Sequence, residues 1–436
     1  MTKRTVIRNG AILTMAEGEQ GTTVFEGTLV IAGDRIQYIG KEPVQPVPED
    51  EVVDGRGKLF MPGLVNTHGH AAMSLLRGLK DDVNLQVWLQ EYMWPTEAKF
   101  TAADVRAGTM LALVEMLKSG TTTFMDMYDH MDQVAEAAAD AGIRACLTRG
   151  VIGLCPEDVQ RAKLAEAIRF AKTWHGAADG RITTAMAPHA PYTCPPEYIA
   201  KFVEAAHELD LPIHTHMSET AREVADNVEA YGARPVEHLL RLGVFSRPCL
   251  VAHGVHLTDE EIAILAEHGV GVSHNPGSNL KLASGVARVP ELLKAGVRVS
   301  LGTDSAASNN NLDIFREIRL AALIHKGFSG DPTAVPAATA LRMGTVFGAR
   351  SLWLNDVGTL EAGMKADVVA VDVTKPHYQP EADLVSHIVY AGSGGDVTDV
   401  WVNGKRVVSG GACLTLDEER IKAEANAALR RLKGTA

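Results

Sequence analysis

The sequence predicts an α/β protein with two parts: a distorted (β/α)8 barrel over residues 61–360 and a small composite β-sandwich domain that both termini form, from residues 1–60 and 361–436. Three observations support a barrel of this kind. The middle of the chain alternates apolar runs with helical patterns, both ends consist of short strands broken by Gly and Asp, and the alternating region has the length of such a barrel. An open doubly wound sheet is the alternative, but no G-x-G-x-x-G or Walker loop follows a predicted strand.

The terminal strands are predicted from alternating apolar residues separated by turn residues. Asn403-Gly404 lies between two such runs and predicts a type I′ hairpin. Thr415 and Glu418 have the spacing of a capping box, so a helix is expected over the C-terminal segment. Because similar strands occur at both ends, we expect one domain rather than two unrelated caps. The strand segments are TVIRNGAILTM, GTLVIAGDRIQYIG, EVVDGRGKLF, KADVVAVDV and DVWVNGKRVV.

The strands of the middle region are compact apolar runs that end in polar or ring-bearing residues, which is typical of parallel strands buried on both faces. Helical patterns separate them: one covers residues 101–119 and stops at Gly120, and another begins at a capping box of Thr258 and Glu261. The strand candidates are LFMPGLVNTHGH, TTTFMDM, RACLTRGV, ITTAMAPHA, LPIHTHMSE, CLVAHGVH, VGVSHNP and VRVSLGTDS.

Composition excludes several classes of function. The 42 basic and 54 acidic residues give a net charge of −12, which argues against a nucleic-acid partner. The sequence has no run of 18 apolar residues, so we expect no membrane-spanning helix. Five scattered cysteines without a C-x-x-C pair indicate free thiols in a reducing compartment, and therefore a cytoplasmic protein without a cysteine zinc site.

Histidines and carboxylates gather where the predicted barrel strands end, which is the face that carries the active site in such barrels. His68 and His70 are two positions apart and therefore point to the same side of their strand. A single histidine is usually structural, but the joint placement at the ends of strands one, five, six, seven and eight is a specific signal. The other members are His214, His216, Glu219, His253, His256, His274 and Asp304.

Three neutral imidazoles and one carboxylate suit Zn²⁺, with Fe²⁺ as the alternative. Such a metal lowers the pKa of a bound water to about 7. Of the two histidines in H-T-H, His216 is nearer the strand exit and is the expected ligand, with His214 behind it as support. Glu219 could move protons, His253 could hydrogen-bond the attacking oxygen, and Asp304 could bind metal and accept a proton. The residues thus predict metal-assisted hydrolysis at an electron-poor carbon.

Five segments resemble the amidohydrolase superfamily, and within it the cytosine deaminase and triazine hydrolase branch with its 5′-methylthioadenosine/S-adenosylhomocysteine deaminases. The resemblance extends along essentially the whole chain and implies a distorted (β/α)8 barrel with one divalent metal. The segments are PGLVNTHGHAAMSLLRG, HTHMSET, VAHGVHL, VSHNPGSNLKLASG and GTDSAASNNNLDIFREIRLAALIHK.

The resemblance also implies a role for individual residues. The metal ligands would be His68, His70, His216 and Asp304, with Glu219 as the proton shuttle and His253 as the polarising histidine. His189 would contact the purine, Glu97 would hold the ribose hydroxyls, and Arg149 would bind the amino-acid end of an S-adenosylhomocysteine-like substrate, with Arg161 as a second candidate for that task.

The expected cofactor is one Zn²⁺ per subunit, because the fourth strand, AMAPHAPYT, lacks the lysine that bridges two metals in dinuclear relatives. The other class of zinc deaminases needs P-C-x-x-C, which is absent from the sequence. The expected reaction is hydrolytic deamination of an adenosine thioether at C6, and the alternatives are guanine, cytosine, adenosine or a triazine as substrate. A non-catalytic scaffold is a remote alternative, and a homo-oligomer stays open.

The aromatic segment WLQEYMW after the first barrel strand has two interpretations. It could cover an adenine ring and a thioether, or it could be an amphipathic helix that packs against the barrel. The two interpretations are compatible.

Overall fold

The computed structural model describes residues 4–434. Its strands are β1 (Arg4–Ile12), β2 (Phe25–Ala32), β3 (Arg35–Gly40), β4 (Glu51–Asp54), β5 (Lys58–Pro62), β6 (Leu64–Asn66), β7 (Thr121–Tyr128), β8 (Arg144–Val151), β9 (Ile182–Thr184), β10 (Ala187–Pro188), β11 (Ile213–Met217), β12 (Cys249–His253), β13 (Gly271–His274), β14 (Val299–Leu301), β15 (Val368–Asp372), β16 (Val397–Val402), β17 (Lys405–Ser409) and β18 (Ala412–Cys413).

The helices are α1 (Leu85–Val87), α2 (Trp94–Glu97), α3 (Ala102–Lys118), α4 (Met131–Ala141), α5 (Glu157–Trp174), α6 (Ala177–Gly180), α7 (Pro196–Glu208), α8 (Ala221–Tyr231), α9 (Pro235–Arg241), α10 (Asp259–Glu267), α11 (Pro276–Lys281), α12 (Val289–Lys294), α13 (Ala306–Asn309), α14 (Ile314–Ser329), α15 (Ala337–Met343), α16 (Val346–Ser351), α17 (Leu384–Tyr390) and α18 (Glu418–Lys433). A 3-10 helix, Ala71–Leu76, follows β6, and a π-helical turn, Trp88–Met93, joins α1 to α2.

Strands from both ends of the chain form one nine-stranded sheet in the order β18-β17-β16-β15-β5-β1-β2-β3, with β4 beside β1. The hairpin between β16 and β17 turns at Asn403 and Gly404, which have φ values of 51° and 75°, so the predicted turn with two positive φ angles is confirmed. The sandwich form and the domain boundaries stay predictions.

The central strands form two parallel sheets, one containing β6, β7, β8, β9 and β10 and the other β11 to β14. The predicted α/β class with parallel central strands is confirmed. Backbone contacts connect the edges of the two sheets. Met186 pairs with Ile213 at one edge, and Gly69 pairs with Asp304 at the other.

Most apolar side chains of the central strands and surrounding helices share one large buried cluster. The capping box of Thr258 and Glu261 is confirmed at the start of α10. The box of Thr415 and Glu418 is wrong: Asp417 caps α18 by accepting a hydrogen bond from the Arg420 amide. The Thr415 hydroxyl instead donates to the carbonyl of Ala141. Asp417 is the cap because it lies immediately before the helix, where its carboxylate can reach the free amide groups of the first turn.

A buried ion pair joins the parallel strands to the terminal sheet. The Arg144 guanidinium, at the start of β8, donates to both oxygens of Asp367 at 2.8 and 3.0 Å. The two side chains are only 3% and 1% exposed, and the Asp367 carboxylate also accepts from the Asn403 amide at 2.7 Å. A charge this deeply buried depends on its partner, so the contact between the two parts is specific.

Within residues 4–434, we find no helix that is both long enough and apolar enough to cross a membrane.

Candidate metal centre and active-site cavity

Five polar side chains from four strand ends converge at one end of the parallel sheets. One nitrogen each of His68, His70 and His216 lies within 4.8 Å of the other two, and the same limit holds for atoms of His68, His253 and Asp304. The Asp304 Oδ1 atom is 3.3 Å from His70 Nε2 and 3.6 Å from His68 Nε2. The structure therefore brings together five of the residues that the strand ends predict. It does not bring His256 or His274 into this cluster: His256 Nε2 donates to the Ser284 carbonyl at 2.7 Å, and His274 Nε2 lies 3.2 Å from His325 Nε2.

Hydrogen bonds behind His68 define which of its nitrogens faces the cluster. The Leu250 carbonyl can only accept, so His214 Nδ1 donates to it at 2.8 Å and His214 Nε2 carries no proton. That atom then accepts from His68 Nδ1 at 2.9 Å. The remaining nitrogen, His68 Nε2, is buried without a hydrogen-bond partner among the described residues. It is an unprotonated nitrogen with its lone pair directed at Asp304 and the other histidines.

His70 and His216 are oriented in the same way. Each Nδ1 donates to a backbone carbonyl, His70 to Met127 at 2.6 Å and His216 to His189 at 2.7 Å. Each Nε2 consequently points away from these carbonyls and toward the cluster, as in metal-binding histidines whose other nitrogen donates to a carbonyl or carboxylate. Burial lowers the pKa of His216 well below its usual value, so its imidazole is neutral.

The Asp304 carboxylate has one oxygen anchored and one facing the cluster. The hydroxyls of Ser278 and Ser308 donate to Oδ2 at 2.6 and 3.1 Å. Burial by itself raises the pKa of Asp304, but its contacts with His70 outweigh burial and lower it. Asp304 is thus ionised. Burial lowers the pKa of His70, but its hydrogen bond to Asp304 outweighs burial and raises that pKa to about 9, so a cation that binds His70 Nε2 displaces a proton. With His70 deprotonated, the three imidazoles and one carboxylate form a donor set that fits Zn²⁺.

Glu219 lies next to this cluster, just after β11. Its Oε2 is 3.8 Å from His253 Nε2, and the Ser284 hydroxyl donates to Oε1 at 3.4 Å. Burial raises the pKa of Glu219, so its carboxyl can hold a proton closer to neutral pH than an exposed glutamate can. The Glu223 carboxylate fixes the turn by accepting from the amides of Ser218 and Glu219 at 2.9 and 2.7 Å.

The cluster lies at the base of a cavity of about 560 Å³, which is a typical size for a small-molecule site. The aromatic segment WLQEYMW, which follows β6 and its 3-10 helix, contributes to the cavity wall through Trp88, Leu89 and Trp94. Trp88 also packs in a buried cluster with Met93 and Leu282. The segment therefore packs against the rest of the protein and also lines the cavity, and its contact with an adenine ring or a thioether stays a prediction.

His189 and Glu97 both line this cavity. The Thr193 hydroxyl donates to the Ala190 carbonyl at 3.2 Å and so accepts from His189 Nδ1 at 2.9 Å, which leaves His189 Nε2 as an acceptor. Burial lowers the pKa of His189 to about 3 and keeps it neutral. The Glu97 carboxylate accepts a hydrogen bond from the Tyr128 hydroxyl at 2.5 Å.

The two arginines expected at the cavity differ in position. Arg149 lines it and forms ion pairs with Asp129 and Glu166 at 3.0 and 3.1 Å. Arg161 is not brought to the cavity: its side chain is 60% exposed and pairs with Glu157, one turn earlier on α5. The reason is the rotation of α5 about its own axis, which places residue 161 on the solvent side. Lys163, two residues further along the same helix, lines the cavity.

Several cavity residues were missed by the sequence analysis. Tyr128 is the last residue of β7, so the same strand-end rule that identified His68 and His70 could have found it. Lys163 gives no comparable signal, because a lysine on an amphipathic helix is ordinarily a solvent-exposed residue.

The sequence profile of the Amidohydrolase family matches residues 59–407. The protein named 5-methylthioadenosine/S-adenosylhomocysteine deaminase from Halalkalibacterium halodurans is 52% identical over 394 residues, which cover 89% of this chain and 90% of that protein. A protein of the same name from Moorella thermoacetica is 51% identical over 407 residues, covering 93% and 95%.

Two solved structures are similar over nearly their whole length. An adenosine deaminase from Xanthomonas campestris with bound zinc has a TM-score of 0.92 and 37% identity, covering 99% of this chain and 98% of that one. Atrazine chlorohydrolase from Arthrobacter aurescens, in complex with zinc, has a TM-score of 0.90 and 27% identity, covering 98% and 100%. The profile spans most of the sequence and the relatives are similar from end to end, so this chain belongs to the amidohydrolase family.

Proposed function

We propose that this chain hydrolyses the C6 amino group of the adenine ring in 5′-methylthioadenosine and S-adenosylhomocysteine. The products are methylthioinosine or S-inosylhomocysteine, together with ammonia. The names of the relatives that are about half identical over most of the chain support this substrate class. Guanine, cytosine, adenosine or a triazine as substrate is the competing assignment.

One observation carries the proposal: a buried, unpaired His68 Nε2 faces Asp304 beside Glu219 at the base of the cavity. An unsatisfied buried nitrogen costs about 1–3 kcal/mol, and a cation that accepts its lone pair removes that cost. We propose that His68, His70, His216 and Asp304 hold one divalent cation, with zinc as the expected metal and Fe²⁺ as the alternative. When bound, the cation supplies the Lewis acidity that activates water near neutral pH.

The side chains around that position have separate tasks in the proposed reaction. Water adds through its oxygen to C6, and Glu219 takes a proton from it and delivers that proton to the adjacent ring nitrogen. Asp304 accepts the second proton and passes it to the amino group, the C6–N bond breaks, and ammonia leaves. His253 Nδ1 donates to the Asn279 side-chain oxygen at 2.8 Å, so its Nε2 can accept a hydrogen bond from the water or hydroxyl group at C6.

The remaining cavity residues are proposed to bind the substrate. The His189 acceptor nitrogen contacts the purine, and the Glu97 carboxylate accepts from the ribose hydroxyls. Arg149 meets the carboxylate of an amino-acid tail, and Lys163 offers a second positive charge on that side of the cavity where Arg161 does not. The tryptophan-rich segment supplies an apolar wall for the thioether and the base.

We also propose that the parallel strands close into a (β/α)8 barrel over residues 61–360, and that residues 1–60 with 361–436 form a composite β-sandwich domain. The paired edges at Met186 and Gly69 support closure. Five free cysteines support a reducing, cytoplasmic location.

The decisive experiment is a substrate panel with the zinc-loaded protein, in which ammonia release is followed for 5′-methylthioadenosine, S-adenosylhomocysteine, adenosine, guanine and cytosine, and chloride release is followed for atrazine. We expect kcat/KM on an adenosine thioether to exceed that on guanine, cytosine and atrazine by at least about 100-fold. Equal or greater turnover on guanine, with none on the thioethers, would reject the substrate assignment. No turnover on any compound, together with failure to retain added zinc, would favour a non-catalytic scaffold.

A further inference from the structure

We propose that Tyr128 is a positioning residue that holds the Glu97 carboxylate in place for the vicinal hydroxyls of a ribose, and so helps the cavity select ribonucleosides over deoxynucleosides. This inference rests on the proposed function, because it assigns Glu97 to the sugar of a nucleoside substrate.

Tyr128 and Glu97 lie in parts of the chain that the rest of the protein holds in place to different degrees. Tyr128 is the last residue of β7 and pairs with Arg149 of β8 in the parallel sheet. The preceding carbonyl, at Met127, accepts from His70 Nδ1, so this strand end also orients a proposed metal ligand. Glu97 instead lies on α2, a single helical turn in the segment that connects the first barrel strand to α3. The sheet therefore fixes the phenol, and the phenol fixes the carboxylate.

The hydrogen bond leaves part of the carboxylate available for a ligand. Tyr128 Oη donates to Glu97 Oε1 at 2.5 Å, and the described residues offer the Glu97 carboxylate no other hydrogen bond. Both residues line the cavity. A carboxylate that keeps one free oxygen and unused lone pairs can accept from two neighbouring hydroxyls. Burial raises the pKa of Glu97, and the phenol acts against this by stabilising the ionised form that such acceptance needs.

Without the Tyr128 hydroxyl, the carboxylate would have to be ordered by the substrate itself. A hydrogen bond to a charged group is strong enough that its loss lowers affinity by about tenfold to a hundredfold. The loss should be confined to ligands that use Glu97. A nucleoside without ribose hydroxyls gains nothing from an ordered carboxylate and should be insensitive to the change.

The test compares Tyr128→Phe with the unmodified enzyme on 5′-methylthioadenosine and on its 2′,3′-dideoxy analogue. We expect kcat/KM on the ribonucleoside to fall at least about tenfold, mainly through KM, and that on the dideoxy compound to change less than about twofold. Adding Tyr128→Phe to Glu97→Ala should cost less than about twofold on either compound, since the group that Tyr128 positions is already absent. Tyr38→Phe, which removes a hydroxyl that bonds the Glu42 carbonyl in the terminal sheet, is the control.

Equal losses on the two nucleosides, or no loss on either, would overturn the positioning role while leaving the proposed function intact. If the unmodified enzyme deaminates neither compound but acts on guanine or a triazine, the proposed function fails and the inference fails with it. A normal thermal transition for each variant ensures that a loss of activity is not a loss of folding.

Discussion

Replacing His214 by Leu should weaken metal binding although His214 is not a proposed ligand. The change removes the acceptor of the His68 Nδ1 proton, which lies 2.9 Å from His214 Nε2 in a fully buried position. An unpaired buried N–H costs about 1–3 kcal/mol. His68 can avoid that cost by moving its proton to Nε2, which is the nitrogen that the metal needs. Loss of such an orienting partner typically lowers metal affinity 10- to 100-fold, or about 1.4–2.7 kcal/mol.

The affinity is measured by competition with a chromophoric zinc chelator, and the thermal transition of the metal-free protein is recorded in parallel. His214→Gln provides a rescue test, because its side-chain carbonyl can accept from His68 and should recover most of the affinity. His238→Leu is the matched control: it removes another buried histidine, on α9 beside Tyr231, outside the cluster. Zinc affinity of His214→Leu within about twofold of the unmodified protein would refute the reasoning.

Three further changes test other parts of the molecule. Glu219→Gln should keep zinc and lose about 10²- to 10⁴-fold in kcat, because an amide cannot carry a proton; near-normal turnover by the ammonia assay would remove Glu219 from that role. Arg149→Ala should reduce kcat/KM on S-adenosylhomocysteine at least about tenfold more than on 5′-methylthioadenosine, which has no carboxylate, and equal losses would contradict the assignment. Asp367→Asn should lower the free energy of unfolding, measured in urea, by about 3–5 kcal/mol, because Arg144 stays buried without its counter-ion. The control Asp356→Asn, at an exposed ion pair, should cost under about 1 kcal/mol. Similar losses for both variants would show that burial of the ion pair is not decisive.

The convergence of His68, His70, His216 and Asp304 could be predicted from the sequence, because each of them lies at or shortly after a strand end. In His68-Gly69-His70, the alternation of a strand end places both rings on one side, and the parallel sheet then brings distant strand ends together. Arg161 could not be placed in the same way. Its position depends on the rotation of α5 about its axis, which is set by packing of the whole helix and not by any adjacent motif.

The supporting interactions were least visible in the sequence. Ser278 and Ser308, which anchor Asp304, lie on α11 and α13, and no spacing rule connects serines on two separate helices with a carboxylate between them. The Asp417 cap of α18 shows a related limit, since the spacing of Thr415 and Glu418 predicted a capping box, whereas the helix begins two residues later than that box requires.

The backbone at the strand ends explains why these side chains converge as they do. Ser218, His253 and Asp304 have φ values of 52°, 75° and 59°, in the left-handed region that residues other than glycine rarely adopt. Each such residue costs on the order of 1–3 kcal/mol and persists only where surrounding contacts determine it. At Ser218 those contacts are visible, because the Glu223 carboxylate binds the amides of both Ser218 and Glu219.

A left-handed residue turns the chain sharply, so the side chain at or just after it points into the cavity rather than along the strand. The strain coincides with the end of β12 and with the residues just after β11 and β14, which carry the proposed shuttle, the polarising histidine and the proposed carboxylate ligand. Positive φ values also occur at residues away from the cavity, such as Asn9, Met15 and Val335, so this conformation orients the side chains at these strand ends but does not by itself identify a functional site.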